Sequence, residues 1–375
     1  MSEGTVARLQ QEVIQPLKRR FVGRDEVIDL IALALVAGEH LFLLGPPGTA
    51  KSALIREFAQ SVRGRYFEYM LTRFSEPNEI FGPIDVARLR EGAVVTVTTG
   101  MLPEAEFVFL DELFNANSAI LNNLLTVLNE RVYRRGAETH RLPLLSLFSA
   151  SNHLPEDDAL RALFDRFLLR CHVQSLKREE VPELLTAGWA LEKTALAESS
   201  VSAKDLADLS AQIYEFDLSG VMTAYMELVF KIRDLGIALS DRRAVKAMKL
   251  MAASALLCGR TEVACSDLWV MRYVWDREEQ IEPLASLIHG VLKQQEETAD
   301  RHCLASVAGR PDGEELARKC EAIEKEVGAG KLKLGQVARV KEQLAMLADQ
   351  AAWLADAAAQ SHLLERVRKC LDRIG

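Results

Sequence analysis

The chain has 375 residues, which is enough for two or three domains. Its composition, 49% hydrophobic and 27% charged, is typical of globular proteins and excludes wholesale disorder. The formal net charge of -8 argues against a broad attraction to nucleic acid, which is therefore an unlikely partner. No apolar run approaches the roughly 18 residues of a membrane span and no signal core opens the chain, so we expect a cytoplasmic protein without a membrane span.

The first predicted element is an amphipathic helix over residues 1–20. Between residues 21 and 173, short apolar runs alternate with helical stretches, a pattern that indicates a parallel α/β sheet. Five of these runs are predicted strands: residues 41–44, 65–70, 107–110, 144–150 and 166–173. From residue 177 to 275 helical patterns replace the strand signal, which predicts a second, all-helical domain.

The remaining region, residues 276–375, is predicted to be helical, with a loop at 305–315. The segment 328–336 has the composition of a turn between a shorter and a longer helix, so we expect a helical hairpin at 315–375. Apolar residues of the longer helix alternate spacings of three and four, as in a coiled-coil seam: Val337, Val340, Leu344, Leu347, Ala351 and Leu354. The hairpin either packs on its own chain or contacts another molecule, and the sequence favours neither.

The segment GPPGTAKS, residues 45–52, follows the first predicted strand and precedes a predicted helix. A phosphate site in this context needs backbone N–H groups at a tight turn, a lysine for the phosphate oxygens and a hydroxyl for magnesium. Gly45 and Gly48 allow the turn. Lys51 supplies the charge and Ser52 the hydroxyl. We therefore expect ATP and Mg²⁺ as cofactors, and contacts to the nucleotide from the whole loop: Gly45, Pro46, Pro47, Gly48, Thr49, Ala50, Lys51 and Ser52.

Ala50 occupies the position before the lysine, where such loops usually have glycine. A helical φ, ψ at this position is comfortable for alanine, although the methyl group limits the conformations that glycine could visit. We therefore expect Ala50 to adopt helical geometry and the loop to keep its phosphate-binding shape.

Two acidic residues follow the predicted strand at 107–110. Asp111 suits the magnesium shell together with Ser52. Glu112, one residue on, points elsewhere and suits the group that activates or orients the water attacking the γ-phosphate. Asn152 follows a strand predicted to lie between those of the phosphate loop and the acidic pair, so its amide could hydrogen-bond the attacking water or the γ-phosphate.

Two further pairs of arginines are candidates. Arg161 lies on a predicted short helix and Arg166 at the start of the last strand. An arginine that reaches a neighbour's γ-phosphate stabilises transition-state charge in trans, whereas an arginine on an exposed helix is usually only solvated. Ser240 is the predicted N-cap of a helix that has Arg242 and Arg243 in its first turn. Because the helix dipole disfavours cations there, an anionic ligand would explain both arginines.

Residues 21–275 resemble the MoxR group of AAA+ ATPases, and most closely its RavA branch. The resemblance rests on seven segments in the same order: GPPGTAKS, YMLTRFSEPNEIFGP, LPEAEFVFLDE, ILNNLLTVLNER, SASNHLPE, LFDRF and SDRRA. It implies an α/β P-loop AAA+ module with a five-stranded parallel sheet at residues 1–176, an all-helical lid at 177–275, and then the C-terminal helical hairpin. A hairpin that this fold inserts near its second helix corresponds to residues 85–100.

The resemblance also implies a role for each candidate residue. The Walker motifs correspond to Lys51, Ser52, Asp111 and Glu112, sensor 1 to Asn152, and the arginine finger to Arg166. Arg242 fits sensor 2 best, with Arg243 as the alternative. Val22 and Gly23 match the segment that lies near adenine in such ATPases.

The function implied by the resemblance is ATP hydrolysis by a homo-hexameric ring that remodels an unidentified protein client through a von Willebrand A domain partner. Where the RavA branch carries a β-rich discoidal domain, this chain has only a short connection at residues 296–314. Two alternatives stay open. A DNA-directed AAA+ motor would use basic hairpin tips, for which residues 132–141 are the candidate, and a nucleotide-dependent switch would need neither Glu112 nor Arg166.

Overall fold

The computed structural model describes most of the chain. The described residues are 2–135, 138–155, 157–176, 178, 180–191, 198–293, 302, 304–305, 313–328, 340–341, 343–344, 347–348, 351 and 357–374. The predicted connection at 296–314 therefore lies largely outside them.

Seven strands are present in the described residues: β1 Leu41–Leu44, β2 Tyr66–Met70, β3 Phe107–Asp111, β4 Val132–Arg135, β5 Glu138–Arg141, β6 Ser146–Ser151 and β7 Leu169–His172. Five form one parallel sheet in the order β2-β3-β6-β1-β7. The predicted five-stranded parallel sheet is confirmed, with β6 between β3 and β1 as expected. The central strands β1 and β6 are completely buried, which is why they appear in the sequence as continuous apolar or small-residue runs.

The described residues of the first part of the chain form eight α-helices: α1 Ser2–Arg8, α2 Gln15–Arg20, α3 Asp25–Ala37, α4 Lys51–Ser61, α5 Pro77–Phe81, α6 Val86–Arg90, α7 Ser118–Glu130 and α8 Asp158–Phe164. A π-helical segment, Leu9–Ile14, joins α1 to α2, so the amino-terminal helical run is confirmed. The apolar helix α3 is buried along almost its whole length because later helices cover the side away from the sheet. The buried stretch of α3, residues 27–37, contains one carboxylate, Asp29. This side chain is 3% exposed and pairs with Lys18 at 2.6 Å. No described helix is both long and apolar enough to cross a membrane.

The insertion at residues 85–100 differs from a simple strand hairpin. The chain reverses here through one antiparallel bridge, Ile84 to Thr96, and two flanking backbone hydrogen bonds. One arm is the helix α6, for which the Asp85 side chain accepts from two backbone N–H groups as N-cap. A regular two-stranded hairpin occurs instead at β4 and β5.

Among its described residues, the second part of the chain consists of helices and the loops between them, with isolated β-bridges at Ser202, Asp217 and Glu262. Five α-helices are present: α9 Val181–Leu191, α10 Ala203–Gln212, α11 Met222–Asp234, α12 Asp241–Leu257 and α13 Ile281–Lys293. A 3₁₀ segment, Cys265–Tyr273, packs between α12 and α13 and buries Trp269 completely. One hydrophobic core, to which the described residues of α9 contribute no buried members, runs through the sheet, the helices α10 to α13 and the 3₁₀ segment. At their junction the buried Glu39 carboxylate pairs with Lys246 at 2.7 Å and Lys249 at 2.5 Å.

The C-terminal region has its own core. Two helices, α14 Gly313–Gly328 and α15 Ala357–Ile374, pack together with described helical residues between 340 and 351. The buried residues of this cluster are Leu316, Cys320, Ile323, Val340, Leu344, Leu347, Ala351, Leu363, Val367 and Cys370. Four predicted seam residues are thus covered by this chain's own helices, while Val337, Leu354 and most of the predicted turn lie outside the described residues.

Candidate active site

The carboxyl edge of the sheet gathers the first group of candidates. The phosphate loop follows β1, Asp111 ends β3, and Asn152 is the first residue after β6. In the parallel register, Asp111 is paired with Ala150 and Leu44 with Ser151, so all three strand ends reach the same level. The structure therefore brings these predicted groups together, at the edge where α/β sheets bind ligands.

Lys51 is the first residue of α4, and its side chain turns back into the loop. Its Nζ donates to the carbonyl oxygens of Gly45 and Pro46, both at 2.8 Å, and lies 3.3 Å from Thr49 Oγ1. Burial lowers the pKa of Lys51, while the charges of Asp111 and Glu112 oppose that shift. Phosphate oxygens would favour the charged form more strongly than these neutral carbonyls do, so the lysine fits a polyphosphate.

The glycines of the loop are required by its geometry. A Cβ at Gly45 would lie 2.3 Å from the carbonyl oxygen of Val173, next to the end of β7. Gly48 has a φ of +81°, in the left-handed region. The loop thus turns tightly against the sheet with its backbone exposed at Gly48.

Ala50 departs from the prediction. Its φ is 63° and its ψ is 20°, which is left-handed, so the expected helical geometry is wrong. The residue is the N-cap of α4, and its carbonyl oxygen accepts the Leu54 N–H at 2.9 Å. Since alanine is disfavoured there by roughly 1–2 kcal/mol, the loop is strained at the position where related loops use glycine.

Arg24 is a loop contact that sequence reasoning missed. Its Nε donates to the carbonyl oxygen of Thr49 at 3.1 Å and its Nη1 to that of Gly23 at 3.1 Å. Burial lowers the pKa of Arg24, opposed by the charge of Glu180. This guanidinium links the predicted adenine-proximal residues, buried Val22 and exposed Gly23, to the phosphate loop. The sequence signal for Arg24 was its position directly after Val22 and Gly23.

The predicted metal ligands are in direct contact. Ser52 Oγ donates to Asp111 Oδ2 at 3.0 Å, and Asp111 Oδ1 accepts the Glu112 N–H at 3.0 Å. A hydroxyl and a carboxylate are hard oxygen ligands of the kind that Mg²⁺ binds beside nucleotide phosphates. The donor set therefore fits this cation.

Glu112 has left-handed geometry, with φ 53° and ψ 46°. Such conformations are costly for residues other than glycine and concentrate at functional sites. Its side chain is partly exposed, and that of Asn152 is exposed. Both are therefore accessible to a ligand at the carboxyl edge.

Arg166 lies at the opposite edge. It lies in the turn after α8, where its Nη1 donates to Oδ2 of the adjacent Asp165 at 3.2 Å, and two residues separate it from the start of β7. Because β7 is parallel to β1, a residue before β7 lies at the amino edge, about 13 Å or one strand length from the phosphate loop. Arg161 is exposed on α8. The structure does not bring Arg166 to the Lys51 of its own chain.

The arginines of α12 differ in their surroundings. Ser240 caps the helix as predicted, accepting the Arg243 N–H at 3.3 Å. Arg242 is exposed, whereas Arg243 is 2% exposed, binds Asp276 Oδ1 at 2.7 Å and lies 3.9 Å from Asp165. For Arg243 the anion expected at this helix start is therefore a carboxylate of the same chain. Through Arg243, the start of α12 lies beside Asp165, the residue before Arg166.

Comparison with known families identifies two family domains in the chain. A family model described as the MoxR domain in the MoxR-vWA-beta-propeller ternary systems matches residues 7–211, more than half of the chain. A second model, an AAA lid domain, matches residues 221–288.

Individual relatives agree with the family models. An uncharacterized protein of Methanocaldococcus jannaschii, MJ0079, is 36% identical over 78% of this chain and 77% of its own length. Chaperone MoxR1 of Mycobacterium tuberculosis is 28% identical over 49% of this chain and 50% of its own length. A crystal structure of a candidate ATPase from Cytophaga hutchinsonii superposes with a TM-score of 0.64 at 20% identity, covering 79% of this chain and 97% of that one, which supports the fold.

Proposed function

The chain belongs to the MoxR family of AAA+ ATPases, and on that premise we propose that it hydrolyses ATP in a ring of its own copies to remodel a protein client. The observation that carries the proposal is the division of the candidate groups between two edges of one sheet. Lys51, Asp111 and Asn152 lie at the carboxyl edge, while Arg166 lies at the amino edge. One chain then holds an incomplete site, which a neighbouring copy completes.

Within one subunit, the proposed roles follow from chemistry and contact. Lys51 exchanges its loop carbonyls for phosphate oxygens, and the backbone of the loop donates to the same phosphates. Ser52 and Asp111 would hold Mg²⁺, which supplies charge neutralisation on the β- and γ-phosphates. Glu112 orients the attacking water and accepts its proton, with Asn152 as a second polar contact.

Between subunits, Arg166 would enter the neighbour's site and stabilise the charge that develops on the transferred phosphoryl group. Arg242 is the better sensor 2 residue of the pair, because it is exposed and Arg243 is already bonded to Asp276. Since α12 begins beside the Arg166 turn, Arg242 is also offered to a neighbour. We take the ring to be a hexamer, as the resemblance implies.

The partner is inferred from the family. The matching family model describes MoxR domains in ternary systems with von Willebrand A and β-propeller proteins, and one relative is named a chaperone. We infer an adaptor with a von Willebrand A domain and a protein client. The DNA-motor alternative is less well supported, because two hairpin arginines are bonded within the chain: Arg134 to Glu130, and Arg135 to Asn78 and the Gly82 carbonyl.

The test uses two arginines near one turn. Arg166→Ala should keep ATP affinity within about twofold and lose about 10³ in turnover. Arg161→Ala, on the exposed face of α8, is the matched control and should hydrolyse ATP like the parent. Parent turnover per subunit should rise with protein concentration as rings form. Normal turnover by Arg166→Ala, together with a rate independent of dilution, would leave a nucleotide switch or a monomeric enzyme.

A further inference from the structure

We propose that Asp276 is a positioning residue that holds Arg166 and Arg242, the two cations offered to a neighbouring subunit, as one unit. The proposal rests on the function proposed above. It starts from a carboxylate outside the nucleotide site that two buried arginines share.

Asp276 lies just after the 3₁₀ segment, and its two oxygens accept three hydrogen bonds. Oδ1 accepts from Arg170 Nη1 at 2.5 Å and from Arg243 Nη1 at 2.7 Å. Oδ2 accepts the backbone N–H of Ala238 at 2.7 Å, in the loop before α12. One carboxylate thus joins β7 to the start of the lid helix that carries Arg242.

The Arg170 side of this junction fixes the arginine-finger turn. Arg170 lies on β7 and is 1% exposed. Its Nε donates to the carbonyl oxygen of Phe167 and its Nη2 to that of Phe164, both at 3.0 Å. These two carbonyls flank Asp165 and Arg166, so the Arg170 guanidinium bonds the backbone on both sides of the turn. Cζ of Arg170 also lies 3.8 Å from the centre of the Phe164 ring.

The Arg243 side fixes the helix start. Arg243 Nη2 donates to the carbonyl oxygen of Val274 at 2.6 Å, and its Nε lies 3.9 Å from Asp165 Oδ1, the residue before Arg166. Arg242 is its neighbour in the first turn of α12. A continuous set of short contacts, with Asp276 at its centre, therefore links the turn of the partly buried Arg166 to the helix start that carries the exposed Arg242.

The charges explain why the carboxylate is needed. Burial and the nearby charge of Arg243 together lower the pKa of Arg170 to about 9, although the charge of Asp276 opposes that shift. Burial would raise the pKa of Asp276, but the charges of Arg243 and Arg170 outweigh it and hold that pKa below its ordinary value. Without the negative charge, two buried guanidiniums repel each other, and the turn and the helix start should separate.

The kinetic test is Asp276→Asn in the full chain. A displaced finger lowers turnover but leaves the nucleotide's own loop intact, so kcat should fall about 10- to 100-fold with KM for ATP within about twofold. Asp267→Asn is the matched control. Asp267 is fully buried in the same region and accepts from Arg260, Ser254 and a backbone N–H, without contact to the Arg166 turn. It should lose comparable thermal stability and keep kcat within about twofold.

Subunit mixing separates positioning in trans from damage to the variant's own site. Mixed with Lys51→Ala subunits, Asp276→Asn subunits should regain ATPase activity, because their intact Lys51 sites meet a neighbour's correctly held Arg166. Mixed with Arg166→Ala subunits they should stay inactive, because neither partner supplies a positioned finger. The reverse pattern, or equal loss of kcat in Asp267→Asn, would overturn the inference.

Failure of the proposed function gives a different result. If Arg166→Ala and Lys51→Ala subunits do not restore each other's activity, the shared site itself is refuted. If they do, and Asp276→Asn behaves like Lys51→Ala, only the role of Asp276 is refuted. Should Asp276→Asn not fold, Arg170→Lys replaces it, since lysine keeps the charge facing Asp276 but cannot bond both turn carbonyls. Like Arg166→Ala subunits, Arg170→Lys subunits should regain ATPase activity when mixed with Lys51→Ala subunits, and should stay inactive when mixed with Arg166→Ala subunits.

Discussion

Replacing Ala50 by glycine tests the left-handed loop geometry. With φ 63° and ψ 20°, alanine is disfavoured by roughly 1–2 kcal/mol, and glycine removes that strain. Glycine also makes the unfolded chain more flexible, which costs about 0.4–1 kcal/mol. The net effect on the free energy of unfolding should therefore lie between about zero and a gain of about 1.6 kcal/mol, with ATP affinity within about twofold of the parent.

Ala53 provides the matched control, because it is exposed two residues into the same helix, α4. Ala53→Gly lacks the relief of strain and should lose about 1 kcal/mol. Urea denaturation of both variants measures the difference, which we expect to be about 1–2.6 kcal/mol in favour of Ala50→Gly. Equal destabilisation by the two substitutions would refute the left-handed assignment, and a tenfold loss of ATP affinity in Ala50→Gly would mean that the methyl group contacts the nucleotide.

Two further predictions concern the Walker residues and a buried histidine. Lys51→Ala should abolish ATP binding, whereas Glu112→Gln should bind ATP and hydrolyse it slowly; turnover within about twofold of the parent in the glutamine variant would exclude Glu112 as the catalytic residue. Burial lowers the pKa of His40 to about 3. Below pH 6.5 the unfolded chain therefore binds a proton that the folded chain does not, and stability should fall by about 2 kcal/mol between pH 7.5 and pH 5 from this residue alone. In urea denaturation at both pH values, the free energy of unfolding of His40→Gln should fall by about 2 kcal/mol less than that of the parent. If it falls by the same amount, another residue causes the pH dependence.

The strands, and the site residues that meet at the carboxyl edge of the sheet, could be predicted because their sequence signals are local. A buried parallel strand needs a short apolar run whatever surrounds it, and polar residues directly after such runs must meet at the carboxyl edge. This reasoning located Lys51, Asp111 and Asn152 at one edge of the sheet.

Other features depend on contacts that are distant in the sequence. The left-handed geometry of Ala50 occurs in a loop whose Thr49 carbonyl is held by Arg24, 25 residues earlier. The sequence could not decide which of two adjacent arginines is buried, because the partner of Arg243 is Asp276, 33 residues away. In α12 the apolar residue Val245 is 67% exposed, whereas Met251 is completely buried. Local periodicity fixes a helix but not every member of its buried face.

The claim that one ATPase site is shared by two subunits is tested most directly by mixing Lys51→Ala and Arg166→Ala chains at varied ratios. The two are combined below the ring-forming concentration and then concentrated with ATP. In a randomly mixed ring, a site works only where an Arg166→Ala subunit meets a Lys51→Ala neighbour that supplies Arg166, so the rate should peak near equal amounts at roughly a quarter of the parent rate. A rate that stays near zero at every ratio, under conditions where the subunits form mixed rings, would contradict the account.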